Sequence, residues 1–389
     1  MHTPRTTPSP APALLRRIAR VGSALALTAP GFLAAPGPDE SGPEESWIEV
    51  PFASERWSRT GVAARTVEHL GRPALRLEDG LLWLPDAAFL HGEVRFDIAF
   101  SGERGFVGAA FRIQDPLELE HFYLRPHQSG QPDSCQYTPV FHGSSAWQLL
   151  PEAAATIEYA FDRWTRVRLV VWEDVLQVFV DSEEPQLVTR LCRDPRAGGL
   201  GIRVPGNFAP AHFSDFRYRH LGSRPPGAVL PATASLAHTV PAWEVSSGFA
   251  EARLEGPDLL ESLLGELHWS ALETEPNGVL NLARLQGVSP TADTCFARLE
   301  LHAARPAIVA IDFGFSDRVK VYQERALIFE GDDGYRSRDH RFLGTIGRYD
   351  RLTLRLRAGR NEVLFAVSES FGGWGLTASI DPVSGVTLR

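Results

Sequence analysis

The sequence predicts an all-β protein built as two β-sandwich domains in tandem, and three observations carry that prediction. From Trp47 onward, apolar residues recur mainly at every second position, the period of strands with one buried face. Turn signals separate these runs at short intervals, and no stretch between Trp47 and Arg219 sustains a helical period beyond a turn or two. At 389 residues the chain is too long for one ordinary hydrophobic core, and a second strand-rich region follows a Pro-rich break.

Residues 1–46 read as an export signal and linker. Arg16, Arg17 and Arg20 precede an apolar stretch over residues 21–33, and Ala34 and Ala35 follow before a polar run. That stretch is too short and too rich in Gly and Pro to span a bilayer; a disordered Pro-rich tail is the alternative reading. Export implies a secreted or periplasmic protein with no transmembrane segment in the mature chain.

Residues 47–220 form the first domain. Over residues 93–100, Val94, Phe96, Ile98 and Phe100 face one way and Glu93, Arg95 and Asp97 the other. Strands over 106–113 and 119–125 flank the Asp115-Pro116 turn signal. Residues 164–172 and 175–181 make a hairpin around Glu173-Asp174, and strands over 199–204 and 212–218 complete the set. Residues 221–242, with Pro225, Pro226, Pro231 and Pro241, are the linker. Residues 243–389 form the second domain, with strands over 294–302 and 306–313, a hairpin across Gln323-Glu324-Arg325, and strands over 351–357 and 362–368. Residues 257–272 have a mixed pattern that accommodates one helix.

Hydrophobic residues make up 43% of the chain and charged residues 22%, a balance that suits a protein with a real core. The net charge is −9, and loss of the N-terminal region carrying Arg5, Arg16, Arg17 and Arg20 takes it to about −13. A surface this acidic argues against nucleic acid or an anionic membrane as partner. Of 39 basic residues only Lys320 is a lysine, which reads as compositional bias. Cys135, Cys192 and Cys295 lack metal-type spacing; they read as separate buried thiols or, for Cys135 and Cys192 in an exported chain, as a disulfide.

Residues 111–150 concentrate planar hydrogen-bonding groups beside aromatic rings, the pairing that sugars need for their hydroxyls and their C–H faces. If Phe111 and Ile113 point into the core, Arg112 and Gln114 face the open side, as ligand contacts or as a solvated strand end. His121, Tyr123 and Arg125 share a strand face, which suits a binding surface or a polar network between sheets. His127 belongs to a polar loop at the mouth. Gln136, Tyr137, Trp147 and Gln148 are candidate stacking and hydrogen-bonding partners, with Trp147 equally suited to a core. In the second domain Tyr335, Arg338, Asp339 and Arg341 either pin a long loop or bind. Glu369, near Phe371 and Trp374, marks either a second platform or a packing surface against the first domain.

The segments FVGAAFRIQD, EHFYLRP, WTRVRLVVWEDVLQVFVD, GGLGIRV and AHFSDFRYR resemble the concanavalin A-like, laminin G-like jelly rolls. That superfamily includes lectins, glycanases and the 3-keto-disaccharide hydrolase subgroup. The segments DFGFSDRVKVYQERALIFEGDDGY and LRAGRNEVLFAVSESFGGWGLTASI resemble the galactose-binding-like jelly rolls appended to glycoside hydrolases. Those modules usually turn at Asn-Gly; Gln323-Glu324-Arg325 in its place implies a longer or differently twisted hairpin. The first resemblance implies carbohydrate recognition on a concave sheet face, with a glycoside-cleaving enzyme or a protein-interaction module as alternatives. The paired acids of glycosidases on this fold, spaced E-x-D-x-x-E, are missing from the sequence, which leaves Asp115, Glu118 and Glu120 as catalytic candidates. Glu118 is expected in the loop after Pro116, and Glu120 on the face of apolar Phe122. No cofactor is expected beyond the calcium ion that the superfamily often binds. Asp332-Asp333-Gly334 reads as a turn rather than a calcium loop.

Overall fold

The computed structural model describes residues 46–231, 236–255 and 259–388, so the expected export signal falls outside the described residues. The first region contains strands β1 (Ile48–Glu49), β2 (Ser58–His69), β3 (Arg72–Phe89), β4 (Gly92–Phe100), β5 (Val107–Asp115), β6 (Glu118–Leu124) and β7 (Cys135–Phe141). It continues with β8 (Ser144–Ser145), β9 (Ala154–Ala155), β10 (Thr165–Trp172), β11 (Val175–Val180), β12 (Leu187–Arg190), β13 (Gly198–Val204) and β14 (Ala211–His220). The ladder runs β12-β11-β10-β4-β14-β3-β13-β5-β6-β7-β8 and folds over one core that contains Leu82, Phe96, Phe111, Phe122, Val178 and Phe213.

One strand serves both layers. Leu75 to Leu77 of β3 pair with β14, and Gly80 to Leu84 of the same strand pair with β13. At the changeover Gly80 adopts φ +104°, and a Cβ there would lie 2.6 Å from the carbonyl oxygens of Thr60 and Gly61. The β2–β3 register also slips beside it, between Thr60 and Ala63. A side chain is excluded at this corner by both backbone conformation and space.

The alternation expected in β4 is present, with Val94, Phe96, Ile98 and Phe100 in the core. β5 departs from its expected pattern. Its ladder to β6 slips between Phe111 and Asp115, and Arg112 takes φ +48°. Phe111 therefore enters the main core, while Ile113 joins Leu81, Ala110, Leu119 and Val140 on the opposite face. The three cysteines are separate thiols.

The second region holds β15 (Ala242–Ser246), helix α1 (Leu259–Glu266), β16 (Trp269–Glu273), β17 (Val279–Asn281), β18 (Thr294–Ala303), β19 (Ala307–Ser316) and β20 (Arg318–Gln323). It ends with β21 (Ala326–Asp332), β22 (Asp350–Leu356), β23 (Gly359–Ser368), β24 (Gly375–Ile380) and β25 (Val386–Leu388). A seven-stranded and a four-stranded sheet pack around Trp243, Phe313, Phe365 and Trp374. The β20–β21 hairpin is tighter than its sequence implies. Gln323 pairs with Ala326, and Glu324 and Arg325 both take positive φ, +49° and +72°. This is the two-residue mirror-image turn that Asn-Gly normally makes. Ion pairs hold it instead: Arg325 to Glu261 at 2.5 Å and Arg357 to Glu324 at 2.8 Å.

The fully buried Gln148 ties the two regions together. Its Nε2 donates to the Leu343 carbonyl at 2.8 Å and its Oε1 accepts from Ser316 Oγ at 3.2 Å. Its backbone bonds Gly372 and Ile346, each at 2.9 Å. Asn277 Nδ2 adds a bond to the Leu149 carbonyl at 3.0 Å. Beside this joint Glu369 is buried; its Oε1 accepts from the Gly373 N–H at 3.0 Å, and its Oε2 has no partner. Burial first, and the neighbouring Asp317 charge second, push the Glu369 carboxyl up to about 8.

Two predictions follow from these constraints. Gly80→Val should destabilise the protein by roughly 1–3 kcal/mol or more in urea unfolding; a change within about 0.5 kcal/mol would mean the corner tolerates a side chain. For Glu369, the folded protein keeps a proton that the unfolded chain, titrating near 4.5, has already lost. This group's contribution to stability is thus fully present at low pH and falls as pH rises from about 4.5 to about 8. Glu369→Gln should show a smaller drop in unfolding midpoint between pH 5 and pH 9 than the parent. Parallel drops in the two proteins would refute the assignment.

Candidate functional site: an arginine-lined cleft

The charged outer face of β4, β10 and β14 follows from the same alternation that builds the core. Burying Phe96 and Leu169 turns Arg95, Asp97, Arg166 and Arg168 outward. In β14 a register slip after Ser214, with Asp215 at φ +52°, resets the phase so that Arg217 and Arg219 also face out. Arg168 lies opposite Arg95, and Arg95 opposite Arg217, so three guanidinium-bearing positions form one cross-strand row. Like charges directly opposite one another are destabilising unless compensated.

Two groups compensate. Glu93, almost fully buried, lies 3.3 Å from Arg95, 3.3 Å from Arg219 and 3.8 Å from Arg168. Trp47, just ahead of β1, takes the guanidinium groups of Arg95, Arg219 and Arg217 over its ring at 4.5, 5.0 and 5.4 Å. Arg168 stacks on Phe179 at 3.5 Å.

Beside this row opens a cleft of about 630 Å³, within the range of small-ligand sites. Residues 49–53 form one wall. Arg72, Arg95, Asp97, Arg166, Asp215 and Arg217 supply its charged lining. Arg72 Nη1 donates to Asp97 Oδ2 at 2.5 Å and to Asp215 Oδ2 at 3.0 Å, so a single nitrogen joins both carboxylates. The half-exposed Phe52 ring stacks on Trp57 at 5.4 Å, and Trp57 packs edge-on against Phe216 at 5.0 Å. On the adjoining strands His212 stacks on His69 at 3.6 Å. Burial, then His69 and the Arg76 charge, lower its imidazole to about 4.

The residues singled out in the sequence lie elsewhere, and most are structural. Arg112 turns inward at the β5 bulge and donates to the Leu90 carbonyl at 2.8 Å and the Glu173 carbonyl at 2.6 Å, instead of facing an open surface. Gln114 bonds the Arg112 and Ala197 carbonyls, each at 3.1 Å. Tyr137 is a core residue; its hydroxyl donates to the buried Glu120, and burial raises that carboxyl to about 7. His121, Tyr123 and Gln136 do share the face away from the main core, and Tyr123 Oη donates to Gln136 Oε1 at 2.9 Å. All three are buried, and burial holds the His121 imidazole well below its ordinary value. Arg125 pairs with Asp133, and His127 accepts weakly from the Gly105 N–H at 3.4 Å.

Trp147 sits half-buried at the joint, 6.4 Å from Phe371, whose ring lies 5.9 Å from Tyr335. Trp374 is core, its Nε1 bonded to the Val367 carbonyl at 2.9 Å. Arg338 pairs with Asp333 and Asp350, and Arg341 with Asp339 at 3.0 Å, so this loop pins itself. The catalytic candidates do not converge. Asp115 is exposed and accepts from the Leu117 N–H at 2.7 Å. Glu118 opens β6 rather than lying in the preceding loop, and pairs with Arg193 at 2.6 Å. Glu120 lies inside the core. Among the described residues no group of three or more His, Cys, Asp or Glu side chains is placed to hold a metal ion. Asp332 closes a turn on the Gly334 N–H at 2.9 Å.

The signal for the arginine face was present in the sequence as arginines two apart, Arg166 with Arg168 on an assigned strand and Arg217 with Arg219 at the end of another, which runs on to His220.

No family model matches the chain, and no curated protein matches it. Solved structures similar in part include a carbohydrate-binding module, CBM66, from Bacillus subtilis: 13% identity, 42% of this chain and 95% of that one, TM-score 0.33. A Bacillus subtilis protein with a galectin-like fold shows 12% identity over 46% of this chain and 97% of that one, TM-score 0.35. A xylan β-1,4-xylosidase from Bacillus halodurans C-125 shows 17% identity over 48% and 41%, TM-score 0.34.

Proposed function

We propose that this protein recognises a carbohydrate, and that the cleft between residues 49–53 and the outer faces of β4 and β14 is where it does so. The observation that carries this reading is the joint presence of fixed planar donors and acceptors, Arg72 with Asp97 and Asp215, and a half-exposed Phe52 ring. Ring hydroxyls pair with such donors and acceptors, while a sugar's C–H face lies against an aromatic. With an export signal expected in residues 1–46, the glycan would be met outside the cytoplasm.

Binding without cleavage is the favoured form. Asp97 and Asp215 lie close together, which is the one observation on the side of a glycosidase. Arg72 Nη1, however, stands between them and bonds both, where a glycosidase's acid pair leaves room for the sugar.

A glycan array probed with the protein should yield binders, and Phe52→Ala should weaken the best of them by about 3- to 10-fold. Tyr123→Phe and Trp147→Ala should leave that affinity unchanged. Loss on Tyr123→Phe with no effect of Phe52→Ala would move the site to the opposite sheet face. Incubation with the best binder should return it intact; shortened products would replace the binding reading with the glycosidase one.

A further inference from the structure

We propose that the glycan bound in this cleft is an acidic one, carrying a carboxylate or a sulfate ester that seats against Arg166 with Arg95 and Arg217 beside it. This rests on the reading of the cleft as a carbohydrate site and specifies its ligand.

The argument is one of charge and of unused donors. The lining of the cleft itself holds four arginines, Arg72, Arg95, Arg166 and Arg217, against three acids, Glu49, Asp97 and Asp215. The local excess is positive in a chain whose net charge is −9. Nor are the acids evenly spread. Arg72 alone takes both Asp97 and Asp215. Glu93 is divided among three arginines. Among the described residues the only carboxylate paired with Arg217 is Glu49, at 4.0 Å and itself well exposed. Arg166 uses its backbone N–H on Asp181, but its exposed guanidinium makes no ion pair among the described residues.

The buried Nε atoms of Arg95 and Arg217 also lack acceptors. These atoms lie out of a ligand's reach, so it is the exposed Arg166 guanidinium that an oxyanion would meet. The guanidinium fork matches two oxygens of a carboxylate or a sulfate, a geometry that a neutral hydroxyl cannot return. The neutral His212 next door leaves this surplus to the arginines. A duplex nucleic acid shares the oxyanion but not the fit: the chain as a whole repels a long polyanion.

The test is equilibrium binding of the full chain to paired oligosaccharides. Trigalacturonate is compared with its methyl ester, and a chondroitin sulfate oligosaccharide with its desulfated form; duplex DNA is a further arm. At least one acidic member should bind about tenfold more tightly than its neutral counterpart. The preference should shrink as ionic strength rises from about 0.05 to about 0.5 M. Arg166→Gln should reduce the acidic affinity about tenfold, and Arg166→Lys, which keeps the charge but not the fork, by less. Arg196→Gln, an exposed charge outside the cleft, should leave it unchanged. Equal binding of acidic and neutral partners, with sensitivity to Phe52→Ala, would overturn the acidic ligand and leave the carbohydrate reading standing. Binding to none of the oligosaccharides, nor to any glycan on the array, would overturn both. Duplex DNA as tight as the best sugar would show that the cleft reads anions without reading sugars, which also defeats the proposal.

Discussion

β3 belongs to both layers of the first region, and the positions of all its faces depend on that. A strand that leaves β14 and joins β13 must bend, and the bend falls at Gly80 against the carbonyls of Thr60 and Gly61. Because the same strand is shared, the side chains of one layer are phased with those of the other. Leu75 and Leu77 face the core from one end of β3, Leu82 and Leu84 from the other. Once that phase is set, β4 and β10 must present Arg95, Asp97, Arg166 and Arg168 to the outside. The cleft is in this sense a product of the core, since a one-residue slip in β4 would exchange its arginine face for Phe96 and Ile98.

Electrostatics then decides whether such a face can persist. An isolated surface ion pair contributes little, but Glu93 is nearly excluded from water and serves three guanidinium groups at once. It offsets the repulsion of a cross-strand arginine row, and Trp47 adds a polarisable surface that the same cations share. The compensation does not extend to Arg166, whose exposed guanidinium makes no ion pair among the described residues. At the joint between the regions the imbalance has the opposite sign: Glu369 and Asp317 are buried together with too few donors, and the outcome there is a proton held on Glu369. Surplus arginine has no such recourse, because a guanidinium does not give up its proton near neutral pH. An excess of carboxyl can be cured from within the protein, whereas an excess of guanidinium waits for an anion from outside.

Much of the fold was legible because strand alternation and turn residues are local signals. The β4 face assignments, the β10–β11 hairpin and the second region's strands appear close to where the pattern places them, although β18 and β19, like β22 and β23, divide between the two sheets instead of pairing with each other. What the pattern could not show were the places where backbone conformation breaks the period. Arg112 was assigned to an open face by strict alternation, and a single left-handed residue in β5 sent it to the Leu90 and Glu173 carbonyls instead. The hairpin at Gln323-Glu324-Arg325 was expected to be longer or differently twisted because it lacks Asn-Gly; partners distant in sequence, Glu261 and Arg357, hold a two-residue turn there. The polar residues around 111–150 drew attention by their density, yet density does not distinguish a ligand contact from a satisfied buried group. Tyr137 and Gln148 are the latter, and Glu120 is buried with one oxygen on Tyr137 and the other without a partner. The arginines of the cleft were dispersed over four strands and could be gathered only by the β10–β4–β14–β3 order, which no local signal carries.

The outer wall of the cleft has a different status from its floor. The floor consists of strands anchored in the main core, but the wall is the short run from Trp47 to Ala53, held by few bonds. Val50 N–H donates to the Phe216 carbonyl at 3.0 Å, and Trp57 Nε1 to the Pro51 carbonyl at 3.0 Å. The β1–β14 ladder and the Phe52–Trp57–Phe216 rings add to these. The same segment carries Trp47 over the arginines and Phe52 into the cleft, so docking β1 on β14 completes the charge compensation and the aromatic wall together. The arginine row and the aromatic ring are therefore coupled through a few residues of chain. Whatever displaces that segment would open the cleft and uncover the guanidinium groups beneath Trp47 at the same moment.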